Sequence, residues 1–131
     1  MIIYCDDILK VSPEQLIGFF VGWKKPLSSE QHFTLLSEST HFIVAIDNET
    51  DKVVGFVTAL SDGINSSFIP LLEVLPTYEK QGIGTALIHK ILQKLDAITN
   101  VDLTCDTGMQ SFYERFSMLK SSGMVLRKYL N

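Results

Sequence analysis

Only two cysteines, Cys5 and Cys105, occur in the 131-residue chain. They are too few for the disulfide framework that staples small secreted domains, and too few for a cysteine-based metal set. Long apolar runs are missing too. The longest, Leu16 to Trp23, falls far short of the ~20 residues that a membrane-spanning helix needs. The opening residues, Met1-Ile2-Ile3-Tyr4-Cys5-Asp6-Asp7, lack the basic start and the cleavage pattern of a secretion signal. Positive charge is in short supply: 11 Lys and Arg against 15 Asp and Glu give a net charge of −4. That balance argues against a nucleic-acid partner, which calls for a basic patch, and it suits a cationic small molecule. No repeat, low-complexity tract or linker breaks the chain. These absences lead to the expectation of one cytoplasmic domain over residues 1–131, with no nucleic-acid and no membrane partner.

Apolar residues make up 46% of the chain and charged residues 20%, a globular composition with enough material for a core. Ile2 to Cys5 reads as a short strand. Ser12-Pro13-Glu14 is a helix start, with a capping serine, proline at the first helical position and an acid in the first turn. That helix should run to about Trp23, before Pro26 forbids continuation. Ser28-Ser29-Glu30 opens a second helix toward Ser37. His41 to Ile46 and Val53 to Leu60 are strand-like runs around the turn residues Asp47-Asn48-Glu49-Thr50-Asp51. Ser61-Asp62-Gly63 turns the chain into a third strand from Ser67 to Leu75. After Gly84, Leu87, Ile88, Ile91, Leu95 and Ile98 recur at helical spacing. Val101 to Cys105 reads as a strand, residues 109–119 as a short helix and Met124 to Leu130 as a final strand. The strand–helix–strand unit over 67–105 is long enough for a parallel crossover. The expected fold is therefore α/β: a mixed, mostly antiparallel sheet flanked by helices, with one parallel crossover. Such a sheet can leave a gap between its two parallel strands, where an extended ligand would meet free backbone groups.

The most informative stretch joins the third strand to the helix: Leu72-Glu73-Val74-Leu75-Pro76-Thr77-Tyr78-Glu79-Lys80-Gln81-Gly82-Ile83-Gly84-Thr85. A helix start leaves about four N–H groups unpartnered and favours negative charge. A Gly-x-Gly turn there makes a cradle for phosphate. Nucleotide motifs fit it poorly. No Lys-Ser or Lys-Thr pair follows Gly84, and Leu87 occupies the place of the third small residue in the dinucleotide fingerprint. Asp102 and Asp106 do lie about where a ribose-binding acid would sit.

With its flanks included, the stretch from Val74 to Leu87 resembles the acyl-CoA signature of the GNAT superfamily of N-acetyltransferases. One position departs, because Glu79 stands where that family usually has Gln or Arg. Ser111-Phe112-Tyr113-Glu114-Arg115-Phe116 is similar to a second family segment on the last helix, with Ser117 in place of a glycine. The resemblance covers residues 40–130 well and the first forty loosely. It implies acetyl transfer from acetyl-CoA to a primary amine of a small molecule or peptide, in a GNAT-like fold. It implies a pyrophosphate cradle at Glu79, Lys80, Gln81, Gly82, Ile83, Gly84 and Thr85. The Glu79 carboxylate fits there only if it points away or meets Lys80. It also implies backbone contacts from Leu72 and Val74 to the pantetheine arm, with the Val74 N–H facing the thioester oxygen. Tyr113 corresponds to the family's tyrosine that protonates the departing thiolate, with a packing role beside Phe112 and Phe116 as its alternative.

The base that would deprotonate the amine is less defined. Glu73 lies in an otherwise apolar strand; it is either that base or a solvent-facing residue in alternation with Leu72 and Val74. Asp106 is a turn former or a contact to CoA. His32 and His41 read as packing or surface histidines and His89 as solvated, while Cys105 reads as a small buried hydrophobe. Asp62 suits the turn it occupies. Acceptor specificity is expected from residues 1–40, where Gly22-Trp23-Lys24-Lys25-Pro26 either walls the acceptor site or anchors packing. A non-catalytic CoA-binding or sensory domain is the rival reading, and a nucleotide-binding module a more distant one. As monomer or homodimer, the chain carries an apolar final strand able to offer an edge for pairing.

Overall fold

The computed structural model describes residues 1–130. Six strands form one sheet: β1 (Ile2–Cys5), β2 (His41–Asp47), β3 (Lys52–Ser61), β4 (Ser66–Phe68), β5 (Leu72–Val74) and β6 (Asn100–Asp102). Three α-helices accompany it: α1 (Ser29–Glu38), α2 (Ile83–Lys94) and α3 (Gln110–Glu114). The sheet order is β1-β2-β3-β4-β6, and β5 also pairs with β3. All pairs are antiparallel except β4 with β6, which run parallel with Ser67 opposite Val101. The expected mixed, mostly antiparallel α/β arrangement with one parallel crossover is present.

The centre is β3, whose residues from Val53 to Ala59 are all buried. Adjacent residues of a strand point to opposite faces, and Gly55 and Phe56 show what each face meets. Beside Gly55 the side chains of Ile83 and Leu87 approach so closely that an added Cβ would lie 3.2 Å from both. Glycine there lets α2 lie directly on the sheet. On the other face, Phe56 packs edge-on against Phe19, Phe20 and His32. Helix α1 begins with a reciprocal cap: Ser28 Oγ accepts from the Gln31 N–H at 3.1 Å, and Gln31 Oε1 from the Ser28 N–H at 2.9 Å.

Four expected elements take another form. The helix from Ser12 to Trp23 is only a 3-10 turn, Pro13–Gln15, and the chain then becomes irregular. Gly18, Phe20 and Gly22 have φ of 97°, 64° and 85°, left-handed values that no α-helix accommodates. The strand from Ser67 to Leu75 is cut into β4 and β5 around Pro70, which has no N–H to give a ladder. The strand from Val101 to Cys105 ends at Asp102, and the helix over 109–119 shrinks to α3 behind a 3-10 turn. No strand forms over Met124 to Leu130: that segment is exposed, unpaired and ends in a 3-10 turn at Lys128–Leu130.

His32 is wholly buried among Phe19, Phe20 and Phe56, and neither ring nitrogen has a hydrogen-bond partner among the described residues. Burial pushes its pKa down to about 4, so the ring stays neutral in the fold. An unfolded histidine titrates near ~6.5. Above that value both states are neutral and the contribution of His32 is complete. Between the two values the unfolded chain takes up a proton and the fold does not, so stability drops as pH falls. The slope should approach about 1 kcal/mol per pH unit, allowing for some water access. Urea titrations from pH 7 to pH 4 should show a flatter pH dependence for His32→Leu; an unchanged slope would clear His32 of the effect.

Candidate functional site

The gap expected between parallel strands lies beyond Phe68 and Asp102. The Ile69 N–H donates to the Asp102 carbonyl at 2.9 Å; after Pro70 the chain continues into β5, which pairs with β3 and not with β6. Hydrogen bonds in an antiparallel ladder fall on alternate residues. Here they fall on Leu71, whose carbonyl accepts from the Thr58 N–H, and on Leu75, whose N–H donates to the Val54 carbonyl. The intervening Leu72 and Val74 therefore turn their N–H and C=O groups away from β3, toward the gap. Side-chain identity gave no hint of this; it follows from register.

Immediately beyond, Pro76–Tyr78 forms a 3-10 turn. The Tyr78 hydroxyl donates to Asp47 Oδ2 at 2.6 Å, tying this turn to the β2–β3 hairpin. That hydrogen bond, followed by one from the Glu49 N–H, holds the Asp47 carboxyl below its usual range; the same bond raises the Tyr78 hydroxyl. The Glu79 N–H donates to the Pro76 carbonyl, so the run of free amides begins one residue later. From Lys80 to Thr85, no backbone N–H donates to another group among the described residues. Lys80 and Gly82 both adopt left-handed φ, 64° and 83°, which curls these amides into a concave turn ahead of α2. Such a nest attracts anions. Glu79 and Lys80 are both exposed.

A cleft of about 370 Å³ lies on this side of β5, walled by Val21, Trp23, Leu72, Glu73, Val74 and Glu79. Val74 leans toward Gly84, and Glu73, being adjacent, points to the opposite face. The carboxylate of Glu73 is not free in solvent. It accepts from the Phe20 N–H at 2.9 and 3.0 Å and from the Val21 N–H at 3.3 Å. The irregular segment that replaces the expected first helix is thus fastened to β5 by a residue expected to be a base or a surface group. Trp23 belongs both to this wall and to a packing pair, its ring 4.8 Å from Phe20.

Helix α3 meets the start of α2 through Phe112, which lies near Gly84. Tyr113 is half-buried and packs edge-on against Phe112 at 5.0 Å. Burial, with Cys105 adding to it, raises the Tyr113 pKa, so its hydroxyl stays protonated through the neutral range. Cys105 itself is exposed, not buried as its type suggested, because the strand it was expected to end stops at Asp102. Arg115, part of the recognised segment though not singled out, stacks over Phe112 at 4.9 Å and donates to Thr85 Oγ1 at 3.3 Å. It brings a cation to the nest. Asp106 opens the 3-10 turn before α3. Asp62 accepts three turn N–H groups from Ile64, Asn65 and Ser66, as its turn position predicts. His41 is half-buried, and His89 is exposed at the edge of Phe116.

Residues 8–118 match the sequence profile of the acetyltransferase (GNAT) family. A candidate acetyltransferase from Deinococcus radiodurans R1, known from its crystal structure, is 38% identical. It superposes with a TM-score of 0.94 over 99% of this chain and 90% of its own. A GNAT-family acetyltransferase of Streptococcus pneumoniae is 28% identical, with a TM-score of 0.79 over 98% of each chain. An N-acetyltransferase of Pyropia yezoensis, itself uncharacterised, is 28% identical over 107 residues, which are 76% of this chain and 59% of that protein. The present chain therefore accounts for little more than half the length of that relative.

Proposed function

The chain belongs to the acetyltransferase (GNAT) family, and on that premise we propose that it transfers an acetyl group from acetyl-CoA to a primary amine of a small molecule or peptide. The observation that carries this reading is the pairing of two open backbone surfaces. Leu72 and Val74 turn their peptide groups into the gap, and the amides of Lys80, Gln81, Gly82, Ile83, Gly84 and Thr85 stand free at the head of α2. One suits an extended amide-bearing arm and the other a pyrophosphate, in the order in which pantetheine and pyrophosphate follow each other in CoA. Arg115 adds a cation beside Thr85; charge-assisted bonds to phosphate are about twice as strong as neutral ones.

When bound, acetyl-CoA supplies an acetyl group already activated as a thioester. In this reading the Val74 N–H donates to the thioester oxygen and stabilises the negative charge that grows there, an effect worth about 10²–10³ in rate for a single donor. Tyr113 donates to the departing sulfur. Leu72 aligns the arm, and Val21 and Trp23 form the acceptor-side wall. Glu79 contributes little as a backbone donor, since its N–H already meets Pro76. Glu73 shapes the acceptor wall by fastening Phe20 and Val21. An amine with pKa near ~10 is mostly protonated at neutral pH, so the neutral fraction attacks and the rate of acetyl transfer should rise with pH toward that value.

Acetyl-CoA at a hundredfold excess over its Kd should stabilise the fold by about 2.7 kcal/mol, a rise in Tm of about 10 °C for a chain of this size. Thermal shift with acetyl-CoA, CoA, ATP and NAD in parallel checks this, and no response to either CoA species would refute the reading. Thiol release across polyamines, amino acids, arylalkylamines and peptide N-termini then identifies the acceptor. Binding of CoA with no thiol release on any amine would mark a sensor instead of an enzyme.

A further inference from the structure

Among the described residues, six of the sixteen exposed large hydrophobic side chains lie in one short stretch: Leu119, Met124, Val125, Leu126, Tyr129 and Leu130. Met124 is 98% exposed and Leu126 73%. The chain leaves α3 through Ser117, whose φ of 65° turns it sharply. Beyond it, no backbone group of residues 118–126 is hydrogen-bonded to any described residue. Met124-Val125-Leu126 has the composition of a strand and no strand beside it. An apolar arm of this kind is a liability for a protein unless something covers it.

The same chain carries a fitting edge. β6 is the last strand of the sheet and pairs on one side only, with β4. Its bonds to the β4 side involve the Asn100 N–H and the Asp102 carbonyl, so by alternation the peptide groups of Val101 and Leu103 face outward, unpaired. Charge matches as well. Residues 96–106 contain Asp96, Asp102 and Asp106 and no Lys or Arg; residues 118–130 contain Lys120, Arg127 and Lys128 and no Asp or Glu. The crystal structure from Deinococcus radiodurans superposes over 99% of this chain, a span that takes in most of the arm.

We propose that the arm of one chain pairs as a strand with the outer edge of β6 in a second copy, and that the exchange is reciprocal. A self-complementary pairing of this kind closes as a two-fold dimer. It buries the apolar arm and satisfies the outward groups of Val101 and Leu103 in one step. A second copy is the fitting occupant because donor strand and acceptor edge are encoded in the same sequence with opposite charge, while the arm stands clear of its own sheet. The partner's arm would also back residues 103–105, the wall of the gap that faces β5, so each candidate site is completed by the other chain.

Sedimentation velocity on the full chain, from micromolar to sub-millimolar concentration, should give twice the 14.7 kDa chain mass. Leu126→Glu, a change at a side chain that packs on nothing in its own protomer, should shift the species to a single chain mass with far-UV circular dichroism retained. Met124→Cys, Val125→Cys and Leu126→Cys, made singly and oxidised, should include one that yields a covalent dimer through Cys105. That band should vanish on Cys105→Ser. A single-chain mass at every concentration overturns the proposal, as does a dimer indifferent to Leu126→Glu. Crosslinking only within one chain would show the arm folded onto its own β6 edge and would also overturn the exchange.

Discussion

Tyr113→Phe is expected to lower kcat by about 10²–10⁴, the usual worth of a positioned proton donor, or about 3–5 kcal/mol of barrier. Acetyl-CoA affinity should stay near the native value. The substitution removes one oxygen and keeps the ring, so the edge-on contact with Phe112 survives and with it the seating of α3 beside Gly84. Burial raises the pKa of the phenol above its ordinary value, which keeps the proton in place at neutral pH. A free thiol titrates near ~8.5, so the phenol gives its proton only as the carbon–sulfur bond breaks and charge collects on sulfur. Steady-state kinetics by thiol release, paired with calorimetric titration of acetyl-CoA, separates the two quantities. Equal turnover in the variant would leave Tyr113 as packing. A matching loss of affinity and turnover would place its effect in binding.

How legible this was in the sequence depends on where each residue's partners lie. The β2–β3 hairpin, α1 and α2 are written in local signals: alternation, the Ser28–Gln31 cap and the helical recurrence of Leu87, Ile88 and Ile91. The phosphate-binding turn is equally local, since Gly82 and the residues around it fix the path of six amides by themselves. The first forty residues are different. Ser12-Pro13-Glu14 does start a turn, with its Ser12–Gln15 capping box in place, yet the following apolar run does not continue it. Leu16, Phe19 and Phe20 are buried against β3 and its neighbours, and Phe20 is held by a side chain that lies 53 positions away in sequence. No window along the chain contains both. The arm failed as a strand for a related reason. Its sequence has strand composition, but a strand needs a neighbour, and its own protomer supplies none.

The site shows the same division. Backbone donors at Leu72 and Val74 were carried over from a resemblance, and they are now supported by register, because the ladder to β3 bonds at Leu71 and Leu75. Pro70 is the cause: it separates β4 from β5 and lets β5 leave the parallel strand β6. Arg115 was hidden by its exposure and by its distance from Thr85 in sequence; only the packing of α3 on α2 brings them together.

Removing the Glu73 carboxylate should act on the acceptor and on the fold together. Glu73→Ala leaves the Phe20 and Val21 N–H groups without their partner. Hydrogen bonds to a charged group contribute about 1.5–3 kcal/mol each, less where water can replace them, so a loss of about 2–4 kcal/mol in stability is expected. Phe20 holds a left-handed φ of 64°, a conformation costing about 1–2 kcal/mol for a residue with a side chain. Without its anchor, that strain favours release of the segment that carries Val21 and Trp23. Because both residues wall the cleft, the KM for the amine should rise and kcat/KM for it should fall by about 10–100-fold, while stabilisation by acetyl-CoA is retained. Glu73→Gln distinguishes an anchor from a base. Its amide offers one accepting oxygen where the carboxylate offers two, so an anchor is weakened in part, with the shape of the pH–rate profile unchanged. A base would instead lose kcat with the acceptor KM intact and its limb of the profile gone. The geometry favours the first outcome, since both oxygens of Glu73 already meet backbone N–H groups of the loop. The second would return proton abstraction to this residue and make the contacts with Phe20 and Val21 secondary.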